Sequence, residues 1–201
     1  IDDPNTGLLL PAAGTYELKG FEALAFLRSR EGVGDGSDLT RISSQQVYLS
    51  ALVRKLKSED TLSNPKKVYD LANAALGTMQ LSSSLANLDT MVAIALALKD
   101  IPLERVTFVQ YPGTTGGDGV YLGKVQPDRE AGDQLMAYVA ADQPFVLDAA
   151  GDGRGSEPDP NAPVATPDTS TAPPVDNSGL PVLSGVKGQT AADYTCSIAN
   201  N

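Results

Sequence analysis

Residues 20–57 read GFEALAFLRSREGVGDGSDLTRISSQQVYLSALVRKLK, and this stretch predicts two helices joined by a glycine-rich turn. The first helix is indicated by four apolar residues at near-helical spacing: Phe21, Leu24, Ala25 and Leu27. The polar run Arg28-Ser29-Arg30 ends it. Three glycines then permit backbone angles that a side chain disfavours: Gly32, Gly34 and Gly36. Ser37 or Asp38 follows and can cap the second helix.

The second helix has two distinct faces. Asp38, Arg41 and Gln45 are spaced three and four residues apart, so they share one polar face. Four apolar residues lie on a different face, which we predict to face the core: Ile42, Leu49, Val53 and Leu56. The turn therefore gathers arginines from the end of one helix and the start of the next.

The arginines near this turn, Arg28, Arg30 and Arg41, suit phosphate oxygens, because a guanidinium offers a planar fork of donors and keeps its charge. A helix N-terminus adds free N–H groups at the same place. Gln45 can add neutral hydrogen bonds. This set matches a diphosphate better than a single carboxylate. The alternative is ordinary surface ion pairing of the arginines with Glu31, Asp35 and Asp38.

ALAFLRSR followed by DLTRISSQQVYLSAL resembles the central signature of the LytR-CpsA-Psr family, in which R-x-R precedes a helix of the form D-x-x-R-x-x-x-Q. The opening IDDPNTGLLLPAAGTYELKG and the later FVQYPG also resemble this family, so the resemblance covers about residues 1–140. Ser44 departs from the pattern. Many members have an arginine just before the two glutamines, so the site here is expected to be less cationic.

The resemblance implies an extracytoplasmic bacterial enzyme that moves a glycopolymer from a polyprenyl-diphosphate carrier to a cell-wall or surface-protein acceptor. Carried over by position, Arg28, Arg30, Arg41 and Gln45 hold the diphosphate. Arg28, Arg30, Arg41 and Asp38 form the catalytic set, with Asp38 orienting Arg41 or acting as a base. Apolar faces beside the arginines accommodate the lipid. Two other functions remain open: hydrolysis of the lipid diphosphate, or non-catalytic binding of wall polymer or carrier.

The resemblance also implies a three-layer α/β/α fold, of which this chain is the C-terminal half. Family members are Mg²⁺-dependent phosphotransferases with pyrophosphatase side activity. The aspartates that bind the metal, and the segment that anchors the protein to the membrane, belong to an N-terminal half that is expected to precede residue 1. No metal ligand is therefore assigned in this chain. Asp2 and Asp3 precede a proline and are interpreted as turn residues rather than ligands.

The composition excludes several classes of protein. The net charge of −10 argues against a general nucleic-acid surface. The chain has no histidine, which excludes Ser–His and Cys–His triads built from it. It has no apolar run of about 20 residues that would span a membrane. The single cysteine, Cys196, is either a free thiol in a flexible tail or half of a disulfide. The oxidising compartment implied by the resemblance favours a disulfide to the absent segment.

Further along the chain, Asn64-Pro65 starts a helix, and Asn87 opens another through Lys99 that should be covered on several sides. Residues 105–111, RVTFVQY, predict a strand, with residues 120–125 as its hairpin partner. Pro127 starts a last helix with four residues expected to face inward: Ala131, Leu135, Met136 and Val139.

We divide the chain into a catalytic part at residues 1–147, a linker at 148–181 and a tail segment at 182–201. The linker contains seven of the 14 prolines and six acidic residues against one arginine, so we expect it to be disordered. The tail regains apolar character. It is expected to dock back onto the first part, where a Cys196 disulfide would hold it.

Overall fold

The structure is a computed structural model that describes residues 1–58, 61–163 and 175–200. Helices and short strands are mixed along these ranges, which confirms the predicted α/β class. The helices are α1 Gly20–Arg28, α2 Asp38–Ser58, α3 Pro65–Thr78, α4 Leu88–Asp100 and α5 Arg129–Ala140. The strands are β1 Asp2–Asp3, β2 Leu8–Leu9, β3 Thr107–Gln110, β4 Gly113–Thr114, β5 Gln126–Pro127, β6 Ser156–Pro158, β7 Lys187–Thr190 and β8 Thr195–Ser197.

The strands form antiparallel pairs, and the longest pair joins β3 to β7, with Thr107 opposite Thr190. The other pairs are β1 with β2, β4 with β5 and β6 with β8. The predicted hairpin between residues 105–111 and 120–125 is therefore wrong. Residues Gly119–Tyr121 form a short 3₁₀ turn instead. Val120 and Leu122 are largely exposed, so this segment has no apolar face to pack beside β3.

Helix α2 is the central element, because it packs against α1, β3, β6, β7 and β8. Its most buried face is largely polar, and its buried residues are Leu39, Thr40, Ser43, Ser44, Gln46 and Ser50. The predicted apolar core face is wrong at Leu49, which is exposed, whereas Ile42, Val53 and Leu56 are half-buried. Small hydroxyl side chains allow strands to approach the helix closely. Gly155, for example, lies so near Thr40 that a Cβ atom would come within 2.6 Å of its backbone.

Side-chain hydrogen bonds satisfy this buried polar face. The hydroxyl oxygens of Ser43 and Ser156 lie 2.5 Å apart, and Ser197 donates to Ser44 Oγ at 3.0 Å. Gln189 Nε2 donates to Ser50 Oγ at 2.8 Å. Buried polar groups are tolerated when they are paired in this way. The helix is thus joined to β6, β7 and β8 by a polar network rather than by an apolar layer.

Apolar packing is concentrated in two small clusters on either side of α2. One contains Leu8, Ala25 and Phe26, and holds α1 against β2. The other contains Leu135, Leu183 and Val186, and holds α5 against the segment before β7. The first cluster includes Tyr48 of α2, so it fixes the position of α1 relative to α2 beside the predicted site.

The predicted helix starts are confirmed for α3 and α4. Asn64 Oδ1 accepts hydrogen bonds from the N–H groups of Lys66 and Lys67, and Asn87 accepts one from Thr90. The predicted burial of these later helices is partly wrong. No residue of α4 is fully buried, because this helix packs mainly against α3. In α5, Leu135 is buried but Met136 and Val139 are exposed, since only one side of the helix meets the second cluster.

The predicted disorder of residues 148–181 is wrong where β6 lies. This strand pairs with β8, with Glu157 opposite Cys196. The turn before β6 is held by Asp152 Oδ1, which accepts hydrogen bonds from three backbone N–H groups, those of Arg154, Gly155 and Ser156. Residues 164–174 of the predicted linker lie outside the described residues. The tail segment does pack back onto the first part of the chain, through β7 and β8, as expected.

Within the described ranges, every helix is too short or too polar to cross a bilayer.

Candidate functional site

The loop at residues 29–37 joins α1 to α2 and shapes the predicted site. Gly34 has a φ of +50°, and a Cβ atom there would collide with the carbonyl oxygen of Arg154. Ser37 caps α2, since its Oγ accepts a hydrogen bond from Thr40 N at 3.4 Å. The glycines therefore let the chain reverse tightly enough to bring the end of α1 beside the start of α2.

Two of the predicted arginines converge on one carboxylate oxygen. Arg30 Nη1 lies 3.6 Å from Asp38 Oδ1, and Arg41 Nη2 lies 3.2 Å from the same atom. All three side chains are accessible, with exposed fractions of 38–50%. Two guanidinium groups against a single carboxylate leave an excess positive charge that faces solvent. The alternative of surface ion pairing is thus partly realised, but around a shared oxygen rather than in separate pairs.

The hydrogen bonding of Arg41 is incomplete. Its Nε is the only buried side-chain nitrogen or oxygen without a hydrogen-bond partner in the part of the chain that the structure describes. Leaving a buried donor unsatisfied costs about 1–3 kcal/mol. Such atoms are rare in folded proteins and mark Arg41 as a side chain that can gain a further acceptor.

Gln45 and Arg28 are placed differently. Gln45 Nε2 donates to the carbonyl oxygen of Leu27 at 2.8 Å, so it ties α2 to the last turn of α1. Arg28, the next residue, is exposed, and its guanidinium has no hydrogen-bond or ion-pair partner among the described residues. The structure thus brings Arg30, Asp38 and Arg41 together. Arg28 adjoins them along the chain but is not joined to them by a contact.

A fourth arginine, which lies in the predicted linker, reaches the same loop. Arg154 Nε lies 3.7 Å from Asp35 Oδ2. Burial raises the pKa of Asp35, but the hydrogen bonds from Ser37 and the charge of Arg154 outweigh burial and lower it overall. The run Gly-Asp-Gly-Arg-Gly at residues 151–155 is typical of an ordered turn and was the local signal for this position.

An apolar cavity of about 400 Å³ lies along the first turns of α2. Leu39 and Ile42, which follow Asp38 and Arg41 directly in α2, form one wall. The remaining lining residues come from β3 and the strands after it: Val109, Gln110, Tyr111, Pro112, Val125 and Pro127. The lining contains no arginine, and a mainly apolar cavity of this kind suits an apolar chain.

The resemblance to the LytR-CpsA-Psr family implies a magnesium ion, which would need a group of carboxylate ligands. Over residues 1–58, 61–163 and 175–200, no three acidic or cysteine side chains are grouped to coordinate a metal. Asp3, one of the adjacent carboxylates near the start, is buried and accepts hydrogen bonds from neighbouring groups. The described residues do not fit a magnesium ion, and no chemical step is assigned through one.

Cys196 is a free, exposed thiol in β8 rather than in a flexible tail. Partial burial, followed by the nearby carboxylates of Asp159 and Glu157, raises the pKa of this thiol. It is therefore a poor nucleophile at neutral pH. The expected disulfide to a segment outside this chain stays a prediction.

Comparison with known proteins decides the family. The LytR_cpsA_psr family model matches residues 3–136, more than half of the chain. This chain belongs to the LytR-CpsA-Psr family. The match contains every residue of the predicted site, from Arg28 to Gln45, and the α/β fold is that of a LytR-CpsA-Psr domain. It ends before β6, so Arg154 and three of the strands that pack against α2, namely β6, β7 and β8, lie beyond the family match.

One relative is the cell wall biosynthesis protein LcpA of Corynebacterium glutamicum, which is 34% identical over 122 residues. The aligned region covers 60% of this chain but only 22% of that protein. The chain therefore spans about a fifth of the relative's length. No solved structure gives a significant match.

Proposed function

We propose that this chain forms part of a phosphotransferase that moves a glycan from a polyprenyl-diphosphate carrier to a cell-wall or cell-surface protein acceptor. The observation that carries the proposal is the convergence of Arg30 and Arg41 on one oxygen of Asp38 at the start of α2. Membership of the LytR-CpsA-Psr family, and a relative named for cell wall biosynthesis, support this choice of reaction. Family membership also supports our proposal that the protein acts on the extracytoplasmic face of the cell membrane.

In this proposal the diphosphate of the donor replaces the Asp38 carboxylate between the arginines. Exposed ion pairs contribute only about 0–1 kcal/mol, so an anion with more charge and more acceptor oxygens can compete for both guanidinium groups. Bidentate hydrogen bonds from arginine to phosphate oxygens favour this exchange. Arg28, exposed beside them, is available for the second phosphoryl group. Asp38 gives up its place between the two guanidinium groups but stays beside Arg41 in the first turn of α2, where it orients that side chain.

Transfer follows by attack of an acceptor hydroxyl on the phosphorus nearest the glycan. A bond forms between the acceptor oxygen and this phosphorus, and the bond from phosphorus to the bridging oxygen breaks. Polyprenyl phosphate leaves, and the hydroxyl proton passes to Asp38 or to water. The protein's main contribution is to hold the groups in line and to stabilise negative charge on the phosphoryl oxygens.

The apolar cavity lined by Leu39 and Ile42 is the proposed place for the first part of the lipid chain. Asp38 and Arg41 directly precede these two residues in α2, which supports placing the lipid near a head group held by the arginines. Dependence on magnesium, and a pyrophosphatase side activity, stay as proposals that rest on the family. Titration of activity with a chelator tests the first, and release of glycan phosphate and polyprenyl phosphate without acceptor tests the second.

The test is turnover of the native protein that contains this chain, with lipid-diphosphate-linked glycan, acceptor and magnesium. Arg41→Gln removes the charge but keeps a polar side chain that can donate hydrogen bonds, and we expect a loss of about 100-fold or more in turnover, since charge stabilisation supplies most of the rate. The control is Arg129→Gln, which removes an exposed arginine at the start of α5. Unchanged activity in Arg41→Gln would refute the site assignment.

The same assay separates the two other functions. Hydrolysis yields polyprenyl phosphate and glycan phosphate without product on the acceptor. A non-catalytic binding module retains the carrier after removal of magnesium and shows no turnover. Transfer product on the acceptor is the result that supports the proposal, and either of the other two results replaces it.

A further inference from the structure

Asp3 is a buried carboxylate whose hydrogen-bond donors come mainly from the arginine loop. It lies in β1 and is 1% exposed. Its Oδ2 accepts hydrogen bonds from Ser29 Oγ at 2.7 Å, Arg30 N at 3.0 Å and Gly32 N at 3.3 Å. Its Oδ1 accepts one from Asn5 N at 3.1 Å. A single oxygen thus gathers three donors from the four residues that follow α1.

This arrangement holds the loop tightly against β1. A Cβ atom on Gly32 would lie 2.8 Å from the carbonyl oxygen of Asp2 and 2.9 Å from Asp3 Cβ, so only glycine fits there without a shift. Ser29, between the two arginines of the R-x-R pair, is fully buried. Its hydroxyl is directed to Asp3, while the arginines on either side of it are exposed.

Burial of a carboxylate is unfavourable unless hydrogen bonds compensate it. Here the compensation depends on the loop adopting this backbone conformation, because two of the donors are the N–H groups of Arg30 and Gly32. A charged acceptor also binds N–H groups more strongly than a neutral one. The negative charge of Asp3 and the conformation of the loop are therefore linked.

We propose that Asp3 is a positioning residue for anion binding: it fixes the backbone of residues 29–32, and through it the direction in which Arg30 approaches the start of α2. This inference rests on the proposed diphosphate site. Asp3 does not contact the ligand, since it is buried behind the loop. Its effect on binding is exerted through Arg30, which is bonded to Asp3 by its main chain and to Asp38 by its side chain.

The experiment measures binding of inorganic diphosphate to the full 201-residue chain by calorimetry. Asp3→Asn preserves shape but replaces the charged acceptor, and we expect binding to weaken about tenfold, as for loss of hydrogen bonds to a charged group. The matched control is Asp2→Asn, which neutralises the exposed neighbouring carboxylate in the same strand. It should bind diphosphate as the unchanged chain does. Equal effects of the two variants would overturn the inference.

A purely structural role is excluded by combining Asp3→Asn with Arg30→Gln. If Asp3 acts through Arg30, its replacement weakens binding less than about twofold once Arg30 is already changed, because coupled sites are not additive. Full additivity overturns the inference. Circular dichroism shows that each variant is folded under the conditions used. Should Asp3→Asn not fold, Ser29→Ala removes one of the three donors and should weaken binding about threefold.

Failure of this inference is distinguishable from failure of the proposed function. If Arg30→Gln and Arg41→Gln bind diphosphate as tightly as the unchanged chain, the diphosphate site itself is refuted, and the inference with it. If both weaken binding while Asp3→Asn does not, the site stands and only the role of Asp3 is refuted.

Discussion

At the scale of single residues, the central feature of the proposed diphosphate site is that Asp38 interacts with two arginines at once. One oxygen of this carboxylate serves both Arg30 and Arg41. In a chain without ligand it keeps two like charges close together. In the presence of an anionic ligand it becomes a competitor for the same guanidinium groups. Asp38 therefore weakens the binding of an anion, while it helps to orient the arginines that bind it.

Asp38→Asn should tighten the binding of inorganic diphosphate to the chain about fivefold. Like charges about 4 Å apart in water repel each other by about 1 kcal/mol, and the substitution removes this repulsion. Turnover of the native protein should fall at the same time, because Arg41 loses the group that orients it. Calorimetry and initial rates measure the two effects. Asp70→Asn, on the exposed face of α3, is the control, and weaker binding in Asp38→Asn would contradict the prediction.

Asp3 gives the stability of the chain a dependence on pH. Burial raises the pKa of this carboxyl, but the hydrogen bonds from Ser29, Arg30, Gly32 and Asn5 together lower it below its usual value. A lowered pKa in the folded state means that the stabilisation is present above the unfolded pKa of about 3.9 and is lost as pH falls through the folded value.

Urea unfolding of Asp3→Asn should therefore show a shallower loss of stability between about pH 5 and pH 3 than the unchanged chain shows. The slope will not vanish, because other carboxyls also have lowered pKa values: Glu17, Asp35 and Asp176. Parallel pH profiles for the two proteins would show that Asp3 titrates in the folded chain as it does in the unfolded one.

At the scale of the element, α2 is unusual for a central helix, because its buried face is largely polar and some of its leucines are exposed. Its hydroxyl residues Ser43, Ser44 and Ser50 are buried, whereas Leu49 and Leu52 are partly exposed. A serine side chain is small enough for a strand to approach the helix closely, and its hydroxyl can form hydrogen bonds with the polar groups of that strand. The helix can therefore lie directly against β6, β7 and β8, and the loop at its start meets Arg154.

This arrangement predicts opposite outcomes for two neighbouring substitutions. Ser50→Leu should destabilise the chain by about 2–4 kcal/mol, since it overpacks a filled site and removes the acceptor for Gln189 Nε2. Leu49→Ser should cost less than about 1 kcal/mol, as expected for a partly exposed side chain. Urea unfolding with an unchanged m-value measures both. The reverse ranking would show that Leu49, not Ser50, faces the core.

At the scale of the whole molecule, the C-terminal segment completes the structure around α2. β7 pairs with β3, and β8 pairs with β6. Arg54, near the end of α2, donates to the carbonyl oxygens of Ala191 at 2.8 Å and Asp193 at 2.7 Å. Its guanidinium carbon also lies 4.3 Å from the centre of the Tyr194 ring. One half-buried arginine thus fastens the turn between β7 and β8 to the helix.

Arg54→Met keeps the apolar stem of the side chain but removes these bonds, and it should destabilise the chain by about 2–3 kcal/mol. The carbonyl oxygens of residues 191 and 193 would lose their donor. Hydrogen exchange should rise first at β7 and β8, because they lose the attachment directly. Arg129→Met, on an exposed face of α5, is the control. Unchanged exchange in β7 and β8 would contradict the attachment.

The local features of the fold, such as helix starts and the arginine turn, can be predicted from the sequence. Asn64 and Asn87 start their helices where capping chemistry predicts, and the spacing of Arg30, Asp38 and Arg41 predicts their meeting at a glycine turn. The R-x-R and D-x-x-R-x-x-x-Q pattern also indicates the family. These features depend on residues within a few positions of one another, or on a motif contained in one stretch.

The remaining features depend on contacts between distant parts of the chain, and they become visible in the folded structure alone. The partner of β3, the buried serine face of α2, and the arrival of Asp3 and Arg154 at the arginine loop all join residues far apart in the chain. The entropy of closing a loop grows only slowly with its length, so distance along the chain does not select the partner. The choice is made by close packing and by hydrogen bonding of buried groups. Neither has a periodicity that a single sequence displays.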